Sequence, residues 1–194
     1  LEQLAAIEPA RGPASMRLRE LYKEDGKWAE LAARAELELD ALAADPEALV
    51  REILDLATVV RERIGDRDHA AELLHRALTT SPLHEEALAR YSEHFRERRD
   101  WRGLADLLDF ALDNAREGGA DGDEQVRRLE EIAQLAELRL GDIPRAIEAW
   151  QRIQQLEPAS TKAQEALRRL YARAKMWEQL VAQLEQEASL AKSD

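Results

Sequence analysis

Four histidines, His69, His75, His84 and His94, are the side chains here best suited to carry a proton near neutral pH or to hold a metal ion. None stands four residues from another, and no acidic motif frames them as a zinc-binding helix requires. They are expected on the solvated surface. There is no cysteine, which excludes disulfides and thiolate metal sites. Gly118 and Gly119 lie beside Asp121 and Asp123, carboxylates that could meet a calcium ion. The rest of an EF-hand is missing, so a plain loop is expected. No GxSxG, P-loop or GxGxxG pattern occurs. Carboxylate pairs abound, but on helix faces they are ordinary solvated acids. With no catalytic constellation the chain is expected to be no enzyme and to need no cofactor or metal.

A different chemistry belongs to Ser160 to Lys175. Lys162, Arg168, Arg169, Arg173 and Lys175 stand against Glu165 alone, a net +4 in a chain of net charge −12, so the remainder carries −16. Two readings stay open: a docking site for an acidic segment, or a solvated helix whose Arg173 complements the helix dipole. The negative total opposes nucleic acid as a partner, because backbone binding needs clustered cations. No apolar run approaches the ~20 residues of a membrane span, so no membrane insertion is expected. No signal peptide is visible, so a cytoplasmic location is expected, with the compartment left open because an upstream signal could have been cut away. The chain begins at Leu1 rather than Met, which reads as an excerpt of a longer array.

These residues sit on a repeated helical frame. Gly65 to Pro82 and Gly141 to Pro158 are near copies, with Ala70 and Ala146 five places after the glycine and Leu74 and Trp150 four further on. A second series interleaves: Trp28, Trp101 and Trp177 each precede a leucine by three and follow a proline by nineteen. The identical placement marks the tryptophans as packing residues, and Trp101 is expected to be largely buried. Hydrophobic residues recur at helical spacing throughout, as in Leu49, Ile53, Leu56, Ala57 and Val60. Tyr91 and Phe95, and Leu180, Val181 and Leu184, are assigned to buried faces in the same way. No strand-like alternation survives. The predicted hairpins span 11–44, 46–82, 84–116, 122–158 and 160–191, after a truncated repeat at 1–9, in a single solenoid of residues 1–194. Solenoid ends need polar caps, so Leu1 and Leu4 are expected to be poorly covered, with end-to-end self-association as the consequence.

The pattern resembles the tetratricopeptide repeat, a helical hairpin of about 34 residues. Ala70, Ala77, Leu74 and Pro82 carry the likeness, with Ile53, Leu56, Ala57 and Val60 before them, if one residue is inserted ahead of Gly65. Ala146, Trp150 and Pro158 carry it again, with the same insertion ahead of Gly141 and a departure at Ile153. Leu31, Leu104 and Leu180 occupy a place where the family has alanine. The repetition gives an all-α solenoid; the resemblance implies about five hairpins in a right-handed superhelix with a concave groove. Carried over residue by residue, the groove positions are Lys162, Glu165, Arg169, Ala172 and Arg173 in one repeat and Arg51, Leu54, Thr58, Arg61 and Glu62 in another. The lysine and asparagine set that clamps a C-terminal carboxylate in some members is not reproduced. The resemblance thus implies a protein-protein interaction scaffold for a peptide or protein partner, an acidic segment at the α-helical cations being one form. The alternative is a structural spacer or self-assembly module of a larger protein.

Overall fold

The computed structural model describes residues 12–119 and 121–190. The expectations for Leu1, Leu4 and the truncated repeat at 1–9 fall outside these residues. Ten α-helices occur among the described residues: α1 Pro13–Glu24, α2 Trp28–Glu38, α3 Pro46–Val59, α4 Arg67–Thr80, α5 Glu85–Arg98, α6 Trp101–Glu117, α7 Gly122–Leu135, α8 Ile143–Leu156, α9 Thr161–Ala174 and α10 Trp177–Leu190. No strand is present among them. The chain forms two compact units, divided between His94 and Phe95.

In unit 1, α1 packs on α2, α2 on α3 and α3 on α4. In unit 2, α6 packs on α7, α7 on α8, α8 on α9 and α9 on α10. These helices lean on their sequence neighbours, the all-α solenoidal pattern of a repeat array. Small residues let the helices approach: Ala57, Ala70 and Ala77 in unit 1, and Ala133, Ala146 and Ala163 in unit 2, are all buried. Gly103 on α6 is a further close approach, since a Cβ there would overlap the Phe95 ring.

Five of the ten helix starts share one device. Asp45, Asp66, Asp100, Asp121 and Asp142 each accept a hydrogen bond from the backbone N–H three residues on, at 2.9–3.1 Å. Each such cap contributes about 1 kcal/mol. The inserted residue required before Gly65 and Gly141 takes the form of a π-helical turn, Val60–Ile64 and Ala136–Leu140. A π-turn absorbs one extra residue without breaking the helix. Gly65 and Gly141 then close it at φ 84° and 65°, the left-handed region where a side chain is costly. The Trp hairpins turn at Gly26, Arg99 and Lys175, each two residues before its tryptophan and each left-handed, at φ 70°, 55° and 58°.

Several burial expectations are corrected. Trp101 is only partly buried, because the next hairpin places Arg139 over its ring, 4.9 Å from the centroid, where an aliphatic residue would have sealed it. Trp28 has the same arrangement with Arg63, at 5.1 Å. Tyr91 and Phe95 are half-buried. Val181 and Leu184 are exposed, and Leu180 is half-buried. Trp150, by contrast, is 3% exposed in the unit 2 core.

Candidate functional site

Within each unit, charged side chains join hairpins at a separation close to one repeat. Among first helices, Arg19 of α1 reaches Glu52 of α3, and Arg61 of the π-turn after α3 reaches Glu93 of α5 at 3.6 Å. In unit 2, Glu130 of α7 meets Lys162 of α9 at 2.6 Å. Glu137 of the following π-turn meets Arg169 at 2.7 Å and Arg173 at 3.8 Å. Among second helices the pairs are Glu36–His69 and Asp40–Arg76 in unit 1 and Asp109–Arg145 in unit 2. The Asp109 carboxyl is held above the ordinary carboxylate range, chiefly by burial, with Arg145 pulling it back.

The three α9 cations pair with glutamates of the preceding hairpin, Lys162 with Glu130 and Arg169 and Arg173 with Glu137. Lys162, Arg169 and Arg173 stand 56%, 60% and 57% exposed over Glu130 and Glu137, which are 26% and 11% exposed. The guanidiniums face solvent, but most of their field is already answered by acids beneath them.

Unit 1 is built differently. Glu38 on α2 is 1% exposed and accepts from Arg34 Nε at 2.6 Å, from Arg19 Nη1 at 3.3 Å and from the Ser15 hydroxyl. Arg34 Nε also donates to Ser15 Oγ at 2.9 Å. A carboxylate so deep is tolerable only with guanidiniums and a hydroxyl satisfying it. Beside this network opens a groove of about 720 Å³. Trp28, Leu31, Leu56 and Val59 supply its apolar lining, together with Met16, which is 60% exposed. Arg19, Lys23 and Arg90 bring cations, and Glu20, Glu52 and Asp55 bring anions in equal number.

Of the unit 1 residues expected in a groove, Thr58 lines this opening, and Thr58, Arg61 and Glu62 line a smaller recess of about 220 Å³ beside it. Leu54 lines neither opening, and its side chain is 5% exposed. Its carbonyl accepts from Thr58 Oγ1 at 2.9 Å and from Arg90 Nη1 at 3.0 Å. Arg51 pairs with Glu47 one turn back, both well exposed. The histidines are less idle than expected: His69 pairs with Glu36, and His75 and His94 flank the Tyr91 ring at 6.1 and 6.2 Å. Among the described residues no group of three or more His, Cys, Asp or Glu is placed to hold a metal ion. None of their helices is long and apolar enough to cross a membrane.

One feature escaped the sequence reading. Gln151, Gln154 and Gln155 of α8 and Gln179, Gln183 and Gln186 of α10 line a recess of about 550 Å³ with Tyr171. Gln151 donates to the Tyr171 hydroxyl at 2.8 Å, and Gln183 to Glu187 at 3.0 Å. The signal was present as glutamines at helical spacing on two helices, but hydrophobic patterning passes over polar stripes.

Hairpins with buried alanines, aspartate caps, left-handed turns and cross-repeat ion pairs make up an all-α array of repeated helical hairpins. No family model matches the chain, and no curated protein matches it in sequence. Among solved structures it is similar to the nearly identical TPR-like repeats of a putative kinesin light chain from Podosopora anserina. The identity is 17% over 96% of this chain and 98% of that one, with a TM-score of 0.47. It is also similar to MamA, at 18% identity over 92% of this chain and 93% of that one, TM-score 0.46. A MamA fragment from Desulfovibrio magneticus RS-1 gives 15% identity over 93% and 95%, TM-score 0.42.

Proposed function

We propose that this chain is a non-catalytic protein-interaction scaffold, and that the unit 1 groove receives an apolar anchor of a peptide or protein segment. The observation that carries this reading is the groove itself, about 720 Å³ with Trp28, Leu31, Leu56 and Val59 lining it and a rim of balanced charge. Aromatic and aliphatic linings provide the binding energy in such sites, while flanking charges set register and specificity. Thr58, Arg61 and Arg90 extend the recognition surface beside the anchor. Because the rim carries three cations and three anions, the partner segment should carry charges of both signs around its anchor.

A second reading is favoured by one observation: Lys162, Arg169 and Arg173 are exposed outside their glutamates. An acidic segment could bridge them, sharing donors with Glu130 and Glu137. Selection of binders from a random peptide display library against the whole chain separates the readings. The groove reading expects enriched sequences with a common aliphatic or aromatic anchor that compete with one another. The acidic reading expects Asp- and Glu-rich sequences whose binding falls steeply with salt. Failure to enrich any sequence overturns both and leaves the spacer or self-assembly role.

A further inference from the structure

The recess of about 550 Å³ between α8 and α10 is lined by six glutamines, with Tyr171 of α9 beside them. Among the described residues lining it, none carries a formal charge. Two of the glutamines are sunk in the protein: Gln154 is 9% exposed and Gln183 is 4% exposed. Gln183 donates to Glu187 at 3.0 Å. Gln154 is not satisfied in this way: its amide nitrogen is buried and has no hydrogen-bond partner among the described residues. A buried donor left unmade is a standing cost, and native proteins seldom carry one without a use.

Packing alone does not require this polarity. Trp101 and Trp177 are as far apart in sequence as Gly65 and Gly141, so α4 and α6 map onto α8 and α10 without a gap. In that register Gln154 stands where the earlier repeat has Leu78, Gln183 where it has Leu107 and Gln186 where it has Phe110. Leu78 and Leu107 are 1% and 7% exposed. Tyr171 stands for Phe95 and adds the hydroxyl to which Gln151 donates at 2.8 Å. Four apolar positions have become polar together, and all four line one recess. By helical spacing Gln179, Gln183 and Gln186 fall on the face of α10 opposite Trp177, Val181 and Leu184.

We propose that this recess binds the carboxamide side chain of a glutamine or asparagine within an uncharged peptide segment. A primary amide offers two donors and a carbonyl acceptor, and so complements another amide. The unmade donor of Gln154 takes the ligand's carbonyl oxygen at the bottom of the recess. Gln151, Gln155, Gln179 and Gln186 are exposed at the rim and meet main-chain groups on either side. A phosphate, a carboxylate or an ammonium group would find no counter-charge in the lining. A sugar or a nucleobase would find no open aromatic face, since Tyr171 is 4% exposed. A free amino acid would bring two charges that a residue inside a peptide lacks. The site is separate from the unit 1 groove and does not rest on it.

The probe is the capped peptide acetyl-Ser-Gly-Gln-Gly-Ser-amide, titrated against the whole chain labelled with nitrogen-15. The side-chain amide signals of Gln154 and Gln183, assigned with Gln154→Leu and Gln183→Leu, should move saturably. Replacing the peptide's glutamine by alanine or glutamate should weaken binding about three- to tenfold, the size of a lost hydrogen bond to a buried group. Gln154→Leu/Gln183→Leu restores the residues of the earlier repeat and leaves Glu187 paired with Arg168. This variant should melt no lower than the unmodified chain and should bind no peptide. Gln155→Ala/Gln186→Ala, at exposed positions, should weaken binding with the fold intact, and it serves if the leucine variant melts early. The chain has no cysteine, so a peptide carrying one can be joined by a single disulfide to Ala159→Cys, an exposed position next to Pro158. The link raises the peptide's effective concentration to the millimolar range. A Gln154 signal unmoved in that tethered chain overturns the proposal and leaves a recess that holds only water. So does equal binding by the alanine peptide, or full binding by the folded variants. Free glutamine or maltotriose moving the Gln154 signal as strongly as the peptide would show a small-molecule site and overturn the assignment to a peptide segment.

Discussion

The two units both join their hairpins by ion pairs and differ in what they leave open. In unit 2, Glu130 and Glu137 take up Lys162, Arg169 and Arg173 across one repeat, and the cations end up outermost. In unit 1 the main acid, Glu38, is sunk into the core with Arg19, Arg34 and Ser15. The charges there are drawn inward, and a groove with an apolar lining remains beside them. Ion pairs at the surface mostly set register between repeats and contribute little energy. A buried carboxylate with several donors fixes local structure at high stakes, since removing any member strands the others.

The largest expected effect sharpens that contrast. Glu38→Ala should cost about 3–5 kcal/mol, because it removes the buried carboxylate that Arg34, Arg19 and Ser15 share, although Arg19 keeps Glu52 and Arg34 keeps Ser15. Glu137→Ala should cost less than about 1 kcal/mol, since Arg169 and Arg173 are exposed and water replaces the carboxylate. Urea denaturation of the two variants checks this, and equal losses would erase the distinction between the faces.

Next in size come the turns that precede the tryptophans. Unit 1 uses glycine at its left-handed position, Gly26, and unit 2 uses Arg99 and Lys175. Gly26→Ala should cost about 1 kcal/mol, and Lys175→Gly should gain a similar amount, because only the residues with a Cβ are strained there. Thermal melts showing both changes neutral would mean that the turns relax out of the left-handed region.

How far these contrasts could be read from the sequence depends on their range. Asp66 and Asp142 after a glycine announce a helix stop and a cap, and the structure has both. The extra residue before Gly65 and Gly141 was legible as an insertion; its form as a π-turn that carries Arg63 or Arg139 to a tryptophan was not. Apolar periodicity marked Val181 and Leu184 as buried packing residues, and both are exposed, because periodicity cannot say whether a neighbour exists to cover them. The cations at Lys162, Arg169 and Arg173 were visible, whereas the glutamates facing them lie about one repeat earlier in a chain full of acids. The groove residues of unit 1 were found only in part, since Met16 and Trp28 belong to a different hairpin from Thr58 and Arg61.

The smallest expected effect concerns Asp109 in unit 2. Burial raises its pKa, so its contribution to stability is fully present below the ordinary carboxylate range and fades as pH rises through the elevated value. Asp109→Asn should flatten that part of the stability-pH profile and leave neutral-pH stability within about 0.5 kcal/mol. A profile identical to the unmodified chain would show that the carboxylate is not perturbed in solution.

The contrast between an open face and a self-neutralised one is tested most directly by a single binding comparison. A peptide selected against the whole chain is titrated against Met16→Glu/Asp55→Lys and against Arg169→Glu/Arg173→Glu, all four being exposed positions. Affinity should fall at least about tenfold in the first variant, through the lost apolar contact and altered rim charge, and stay unchanged in the second. Unchanged affinity in the first variant together with a loss in the second would place binding on the α9 cations and contradict the assignment of the unit 1 groove.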